Sequence, residues 1–197
     1  IYMNTICAFI AVEIDRQNKQ KICGLISGLK ESDADAKWIN ENQIHITLKF
    51  LGNVDESGIQ KISKALSDIA GNFKTFTINF SNIGAFPDMN RPRVIWLGVS
   101  KGADYLKSLA QKIENELEKS GFARASREFE PHLTLARIKS SKNITELARL
   151  VKERGSISGD DIQINKLILF QSKLHPKGAI YTVILEKHLQ DINAITG

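Results

Sequence analysis

Cysteine is scarce in this chain: Cys7 and Cys23 are the only two in 197 residues, and they form no C-x-x-C pair. Two cysteines cannot build a disulfide scaffold, so they read as buried thiols of a reducing cytoplasm. Long apolar runs are missing too, and nothing approaches the ~20 residues a membrane-spanning helix requires. Residues 6–14 are apolar, but Glu13 interrupts them and no basic leader precedes them, so they do not read as a signal peptide. No low-complexity tract or Gly/Ser linker divides the chain. One domain is therefore expected over residues 3–197, with Ile1 and Tyr2 left outside because Met3 is the more natural start.

What is present is ordinary in bulk. Hydrophobic residues at 42% and charged residues at 25% exclude a disordered chain. Charge is tilted, with 27 basic against 22 acidic side chains and a net charge of +5. Such an excess suits a polyanionic partner, because cations displace counterions from phosphates, and it equally suits a plain basic surface.

Strand patterns cover residues 5–14, 44–51, 73–80, 94–99, 133–138, 162–170 and 179–185. Helical stripes run through Ile22, Leu25, Ile26 and Leu29, through Ile59, Ile62, Leu66 and Ile69, and through Leu106, Leu109, Ile113 and Leu117. A shorter helix is expected over 144–151, with Gly71, Gly121 and Gly155 closing the last three of the four. Residues 84–93 and 171–178 read as the two longest loops. Hairpin-like strand pairs without regular βαβ spacing point to an α+β fold with antiparallel sheets.

One segment occurs twice. Ile44-His45-Ile46-Thr47-Leu48 returns as Pro131-His132-Leu133-Thr134-Leu135. In a strand, residues i and i+2 share a face, so each copy sets imidazole and hydroxyl on one side and apolar residues on the other. With four histidines and eight threonines in the chain, a given histidine has Thr at +2 about 4% of the time by composition alone. One copy is weak; the matched pair is strong, and it implies two pseudo-symmetric lobes.

Two imidazoles across a cleft can divide acid and base work near neutral pH, and the threonine hydroxyls can donate to phosphate oxygens. Phosphoryl transfer suits this set. A metal site does not: only two histidines match, and no carboxylate holds the same offset in both copies, since Glu130 answers to Gln43. No metal and no cofactor is expected. His175 and His188 lack a Thr at +2 and carry no assigned role.

The two segments, extended to Lys49-Phe50-Leu51-Gly52 and to Ala136-Arg137, resemble those of the two-histidine phosphoesterases. The RNA 2′,3′-cyclic phosphodiesterases, also called 2′-5′ RNA ligases, are the branch most similar. The likeness extends through Phe9-Ile10-Ala11-Val12, Gly84-Ala85-Phe86-Pro87, Pro92-Arg93-Val94-Ile95-Trp96-Leu97-Gly98 and Gly178-Ala179-Ile180-Tyr181.

The resemblance implies a bilobal pseudo-twofold fold, two antiparallel sheets flanked by helices around a central cleft. It implies metal-independent opening of a terminal 2′,3′-cyclic phosphate to a 2′-phosphate, with His45 as general acid and His132 as general base. Thr47 and Thr134 would bind phosphate oxygens. Expected partners are RNA or oligonucleotides with 2′,3′-cyclic ends, tRNA fragments among them, met by a cytoplasmic monomer with no membrane partner. The alternatives are a 2′-5′ ligase running the same chemistry in reverse, and an RNA- or nucleotide-binding module without catalysis.

Arg137 is a candidate phosphate contact on the resemblance, although strand parity, at five residues from His132, places it on the far face unless the strand bulges. Lys49, at four residues from His45, has cleft parity. Phe9 and Tyr181 are candidates for base stacking, with core packing the plainer role for Phe9. Arg91, Arg93, Lys173 and Lys177, in the two long loops, are candidates for the path of RNA.

Overall fold

The computed structural model describes residues 5–155, 160–176 and 178–191. Among these residues ten strands and four α-helices follow one another as β1 (Ile6–Glu13), α1 (Arg16–Lys30), β2 (Ala36–Trp38), β3 (His45–Val54), α2 (Glu56–Ala70), β4 (Phe76–Ile78), β5 (Phe80–Phe86), β6 (Val94–Val99), α3 (Ala103–Lys119), β7 (His132–Ile138), α4 (Ile144–Arg154), β8 (Ile162–Ile164), β9 (Lys166–His175) and β10 (Gly178–His188), with a 3-10 turn at Glu41–Gln43 before β3. One four-stranded sheet has the order β10-β9-β1-β3, the other β2-β7-β6-β5, and β4 pairs with β8. Among the described residues these strands all pair antiparallel, and a lone parallel bridge joins Lys74 to Gln190. The expected α+β class with two antiparallel sheets is what the chain forms.

The two sheets repeat one arrangement. Each histidine strand pairs with an apolar strand, β3 with β1 and β7 with β6, and a third strand follows, β9 or β5. Strands β3 and β7 meet where the sheets face each other. Helices α2 and α3 pack on β3 and on one another, and α1 packs on α4. Asp15 and Asp55 start α1 and α2 by accepting from the backbone N–H groups of Asn18 and Gly58, at 2.9 and 2.7 Å.

Alternation behaves as the pattern predicts over the motifs. Ile46, Leu133 and Leu135 are fully buried and Leu48 nearly so. Each such side chain contributes ~1.5–3 kcal/mol on leaving water, which holds the strand with its His and Thr outward.

Several boundaries differ from expectation, each for a pairing reason. Residues 73–80 and 162–170 are not continuous strands: β4 and β8 pair with each other, and the chain changes sheet at Asn79 and Asn165. Backbone bonds of Asn79 with Ser100 and Lys101 make the first crossing. The loop expected at 84–93 shrinks because β5 continues to Phe86 against β6. That expected at 171–178 is a tight hairpin, so Lys173 lies in β9; Lys177 lies outside the described residues. The three-residue β2 is too short to show as a pattern. Cys7 is exposed and Cys23 half-buried, both free, which corrects the expectation of two buried thiols: β1 turns Cys7 to the solvent side. No helix among the described residues is long and apolar enough to cross a membrane.

Candidate active site

His45 and His132 open their strands in the same way. The Nδ1 of His132 lies 2.7 Å from the Glu130 carbonyl, which can only accept, so the proton sits on Nδ1 and Nε2 keeps its lone pair. His45 likewise hydrogen-bonds the backbone of Gln43, two residues before it, and its Nε2 lies 3.0 Å from the Thr47 hydroxyl. Thr47 therefore donates to the neutral ring and accepts from the protonated one. Thr134, at the matching place on β7, is half-buried on the same face as His132.

Burial dominates the electrostatics. It pushes His45 down to about 4, with the Lys19 charge adding to the fall and the Gln43 hydrogen bond opposing it. His132 is lowered for the same first reason, and the charge of Arg137 lowers it further against the Glu130 carbonyl.

Aromatic rings frame both imidazoles. Phe9 lies 4.9 Å from His45 and Tyr181 5.3 Å, while Phe86 meets His132 edge-on at 5.1 Å. Phe9 is 3% exposed and forms the floor beneath His45, so it offers no free face to a base. Tyr181 is half-buried, with its hydroxyl pKa raised by burial and lowered by the Arg137 charge. Arg137 thus acts on His132 in one sheet and on Tyr181, a ring neighbour of His45, in the other. The contact of β3 with β7, and the nearness of Arg137 to both His132 and Tyr181, set the two motifs at one cleft.

Arg137 reaches that cleft through a bulge. On β7, Thr134 pairs with Trp96 and Ala136 with Ile95, so Leu135 is the extra residue. Leu135 and Ala136 are both buried, and Arg137 returns to the face of His132.

The same bulge on β3 gives the opposite result for Lys49. Thr47 pairs with Ala11 and Lys49 with Ile10, leaving Leu48 extra. Lys49 turns to the back of the sheet, where its ammonium meets both Glu114 oxygens at 2.7 Å and the Ala123 carbonyl at 2.9 Å. Cleft parity for Lys49 is thereby overturned. Phe50 takes the cleft face instead, 71% exposed with its ring 6.0 Å from Phe9. Sequence reasoning misses Phe50; the signal that finds it is the bulge seen in β7, carried to the matching offset.

Among the described residues no three His, Cys, Asp or Glu side chains group as metal ligands. Arg91 and Arg93 are exposed in the segment between β5 and β6, and Lys173 is exposed in β9.

A duplicated fold with one imidazole and one hydroxyl from each half defines a class. Residues 12–96 and 97–181 each match the family of LigT-like phosphoesterases, and the chain belongs to that family, within the two-histidine phosphoesterases. It is a phosphoesterase. Its relatives give a more particular comparison. The RNA 2′,3′-cyclic phosphodiesterase of Aquifex aeolicus is 40% identical over 156 residues, 78% of this chain and 81% of that protein. That of Aeropyrum pernix is 36% identical over 167 residues, 83% of this chain and 94% of its own. Among solved structures, a Thermus thermophilus protein aligns at TM-score 0.80 and 22% identity, covering 95% of this chain and 100% of that one. Escherichia coli LigT complexed with 3′-AMP aligns at 0.78 and 20%, covering 95% and 99%. These two carry the fold.

Proposed function

We propose that the protein hydrolyses the terminal 2′,3′-cyclic phosphate of RNA to a 2′-phosphomonoester, by acid and base catalysis from His45 and His132 without a metal ion. The observation that carries this reading is the matched pair of imidazoles, each fixed at one nitrogen by the backbone two residues earlier. The names and identities of the relatives support the substrate class.

The chemistry needs two proton movements. Nε2 of His132, as general base, takes a proton from water as the oxygen attacks phosphorus. The bond from phosphorus to O3′ breaks, and Nε2–H of His45, as general acid, delivers a proton to O3′. The assignment of acid and base follows the resemblance. Thr47, Thr134 and Arg137 hold the non-bridging oxygens as charge grows on them. Both imidazoles sit below their ordinary pKa in the free protein, and the arriving phosphate anion raises them, which supplies a protonated acid only when substrate is bound. Phe50 offers its open ring to the nucleobase, since aromatic stacking suits any base.

One chain supplies both histidines, so a monomer suffices, as one domain of two pseudo-symmetric lobes. The free, exposed Cys7 fits a reducing cytoplasm.

The test is a short RNA ending in 2′,3′-cyclic phosphate, incubated with the protein in EDTA, with the product end identified. A 2′-phosphate end is expected. A 3′-phosphate end would contradict the leaving group, and activity restored only by added metal would contradict the two-histidine chemistry.

A further inference from the structure

Beyond the histidines, sheet β2-β7-β6-β5 continues into a groove. Asn90, Arg91, Pro92 and Arg93 form one side, and Ile138, Lys139, Ser140, Ser141 and Ile144 the other, enclosing about 430 Å³. It adjoins the catalytic cleft through the backbone. Phe86, whose ring meets His132, accepts from the Arg93 N–H at 2.7 Å, and the Arg93 carbonyl accepts from Ile138 N–H at 2.9 Å. Arg137, one residue before Ile138, pairs with Val94, one residue after Arg93.

The groove carries three exposed cations. Arg91, Arg93 and Lys139 are exposed, and among the described residues none forms an ion pair. Three carboxylates lie near and none pairs with these cations: the Asp35 carbonyl accepts from the Lys139 N–H at 2.8 Å, which sets that residue beside the groove. Asp88 accepts from the N–H groups of Asn90 and Arg91 within its own turn, at 2.8 and 3.2 Å, and Asp33 pairs with Lys142 at 2.9 Å. Lys37 extends the row, since it is the cross-strand partner of Arg137 and so shares its face. Like charges gathered without ion-pair partners repel one another, a cost that a bound polyanion lowers.

We infer that this groove is a second phosphate subsite, holding a phosphodiester of the RNA body on the 5′ side of the reacting nucleotide. Arg91 and Arg93 supply forked donors, Lys139 a point charge and Ser140 a hydroxyl donor. Because the cyclic phosphate ends the 3′ terminus, everything else in the substrate extends 5′ from it, and a cyclic mononucleotide leaves the groove empty. The enzyme therefore prefers oligonucleotides to 2′,3′-cyclic mononucleotides. This rests on the RNA substrate proposed above and adds where its body lies.

The experiment compares kcat/KM for 2′,3′-cyclic AMP and for a tetranucleotide with the same cyclic end, in the wild type and in the Arg91→Gln, Arg93→Gln, Lys139→Gln triple variant. The wild type is expected to favour the tetranucleotide by about tenfold or more, as ~1.4 kcal/mol of added binding gives. The triple variant should lose that preference and keep its cyclic AMP turnover within about twofold. Its salt dependence on the tetranucleotide should flatten by ~0.7 in log–log slope for each phosphate it no longer neutralises. Equal wild-type rates on both substrates, a preference that survives in the triple variant, or equal slowing on both would each overturn the subsite. Binding of the labelled tetranucleotide to both proteins separates this subsite from the reaction. If neither substrate turns over, weaker binding by the triple variant still supports the groove, and unchanged binding overturns it.

Discussion

Phe50 and Arg137 occupy the same position in the two halves of the molecule. Each follows its histidine by five residues and comes two residues after the extra residue of a β-bulge, after a buried residue that the bulge has turned to the back. One half thus presents an aromatic ring to the cleft and the other a guanidinium. In the proposed reaction the ring meets a base and the guanidinium a phosphate.

That division predicts different losses. Phe50→Ala should raise KM for a cyclic-ended oligonucleotide, because a base stacked on an aromatic ring is worth ~1–3 kcal/mol. The rise should be nearly independent of salt. Arg137→Ala should lower kcat/KM most at low ionic strength, since it removes a charge that screening otherwise weakens. Rates measured from low to high salt separate the two, and parallel salt dependence in both variants would contradict the assignment.

Lys49 and Glu114 yield a stability prediction. The side chains are 3% and 14% exposed and 2.7 Å apart. Removing one partner leaves a buried charge alone, so Lys49→Ala should cost about 3–5 kcal/mol in denaturant unfolding. Replacing both, as Lys49→Met with Glu114→Leu, should recover much of that loss. The folded fraction of Lys49→Ala should retain its turnover, because the ammonium faces away from the cleft. Normal stability with abolished catalysis would instead return Lys49 to the site.

How much of this was legible in the sequence follows from the reach of strand parity. The pairing of His45 with Thr47, and of His132 with Thr134, needs only two residues of regular strand, and it holds. Lys49 and Arg137 lie beyond Leu48 and Leu135, where an extra residue in each strand inverts the parity, and both readings by parity fail there. A bulge is a relation between two strands and leaves no mark in either alone. The split at Asn79 is hidden for the same reason, since its cause is the distant partner of β4. Sheet class and helices were readable because they depend on local periodicity, and the like placement of the two His-x-Thr segments because the segment occurs twice.

The buried His45 should also make the fold sensitive to acid. Its pKa is about 4 in the folded protein against 6.5 as the ordinary value. Between these, the unfolded chain binds a proton that the folded chain refuses, so stability falls as pH drops from about 6.5 toward 4. The loss from this one group approaches about 3 kcal/mol. Across pH 7, 5.5 and 4.5 the unfolding midpoint of wild type should fall relative to that of His45→Gln, which has no imidazole to titrate. An unchanged difference would contradict the burial argument.

The same depressed values set the rate profile. The kcat/KM profile reports groups of the free enzyme, so its maximum should lie below pH 6.5. The kcat profile reports the complex, where the phosphate anion raises both imidazoles, and its maximum should lie at higher pH. The limbs belong to the coupled pair rather than to either histidine. Coincident maxima would contradict a proton gained with substrate.

The central claim is that two histidines share the proton work, and single-turnover kinetics of His45→Ala and His132→Ala test it most directly. With a cyclic-ended RNA in EDTA and saturating protein, each variant should bind the substrate, remain folded and turn over about 10²–10⁴-fold more slowly than wild type. Near-wild-type turnover in either variant would contradict the account.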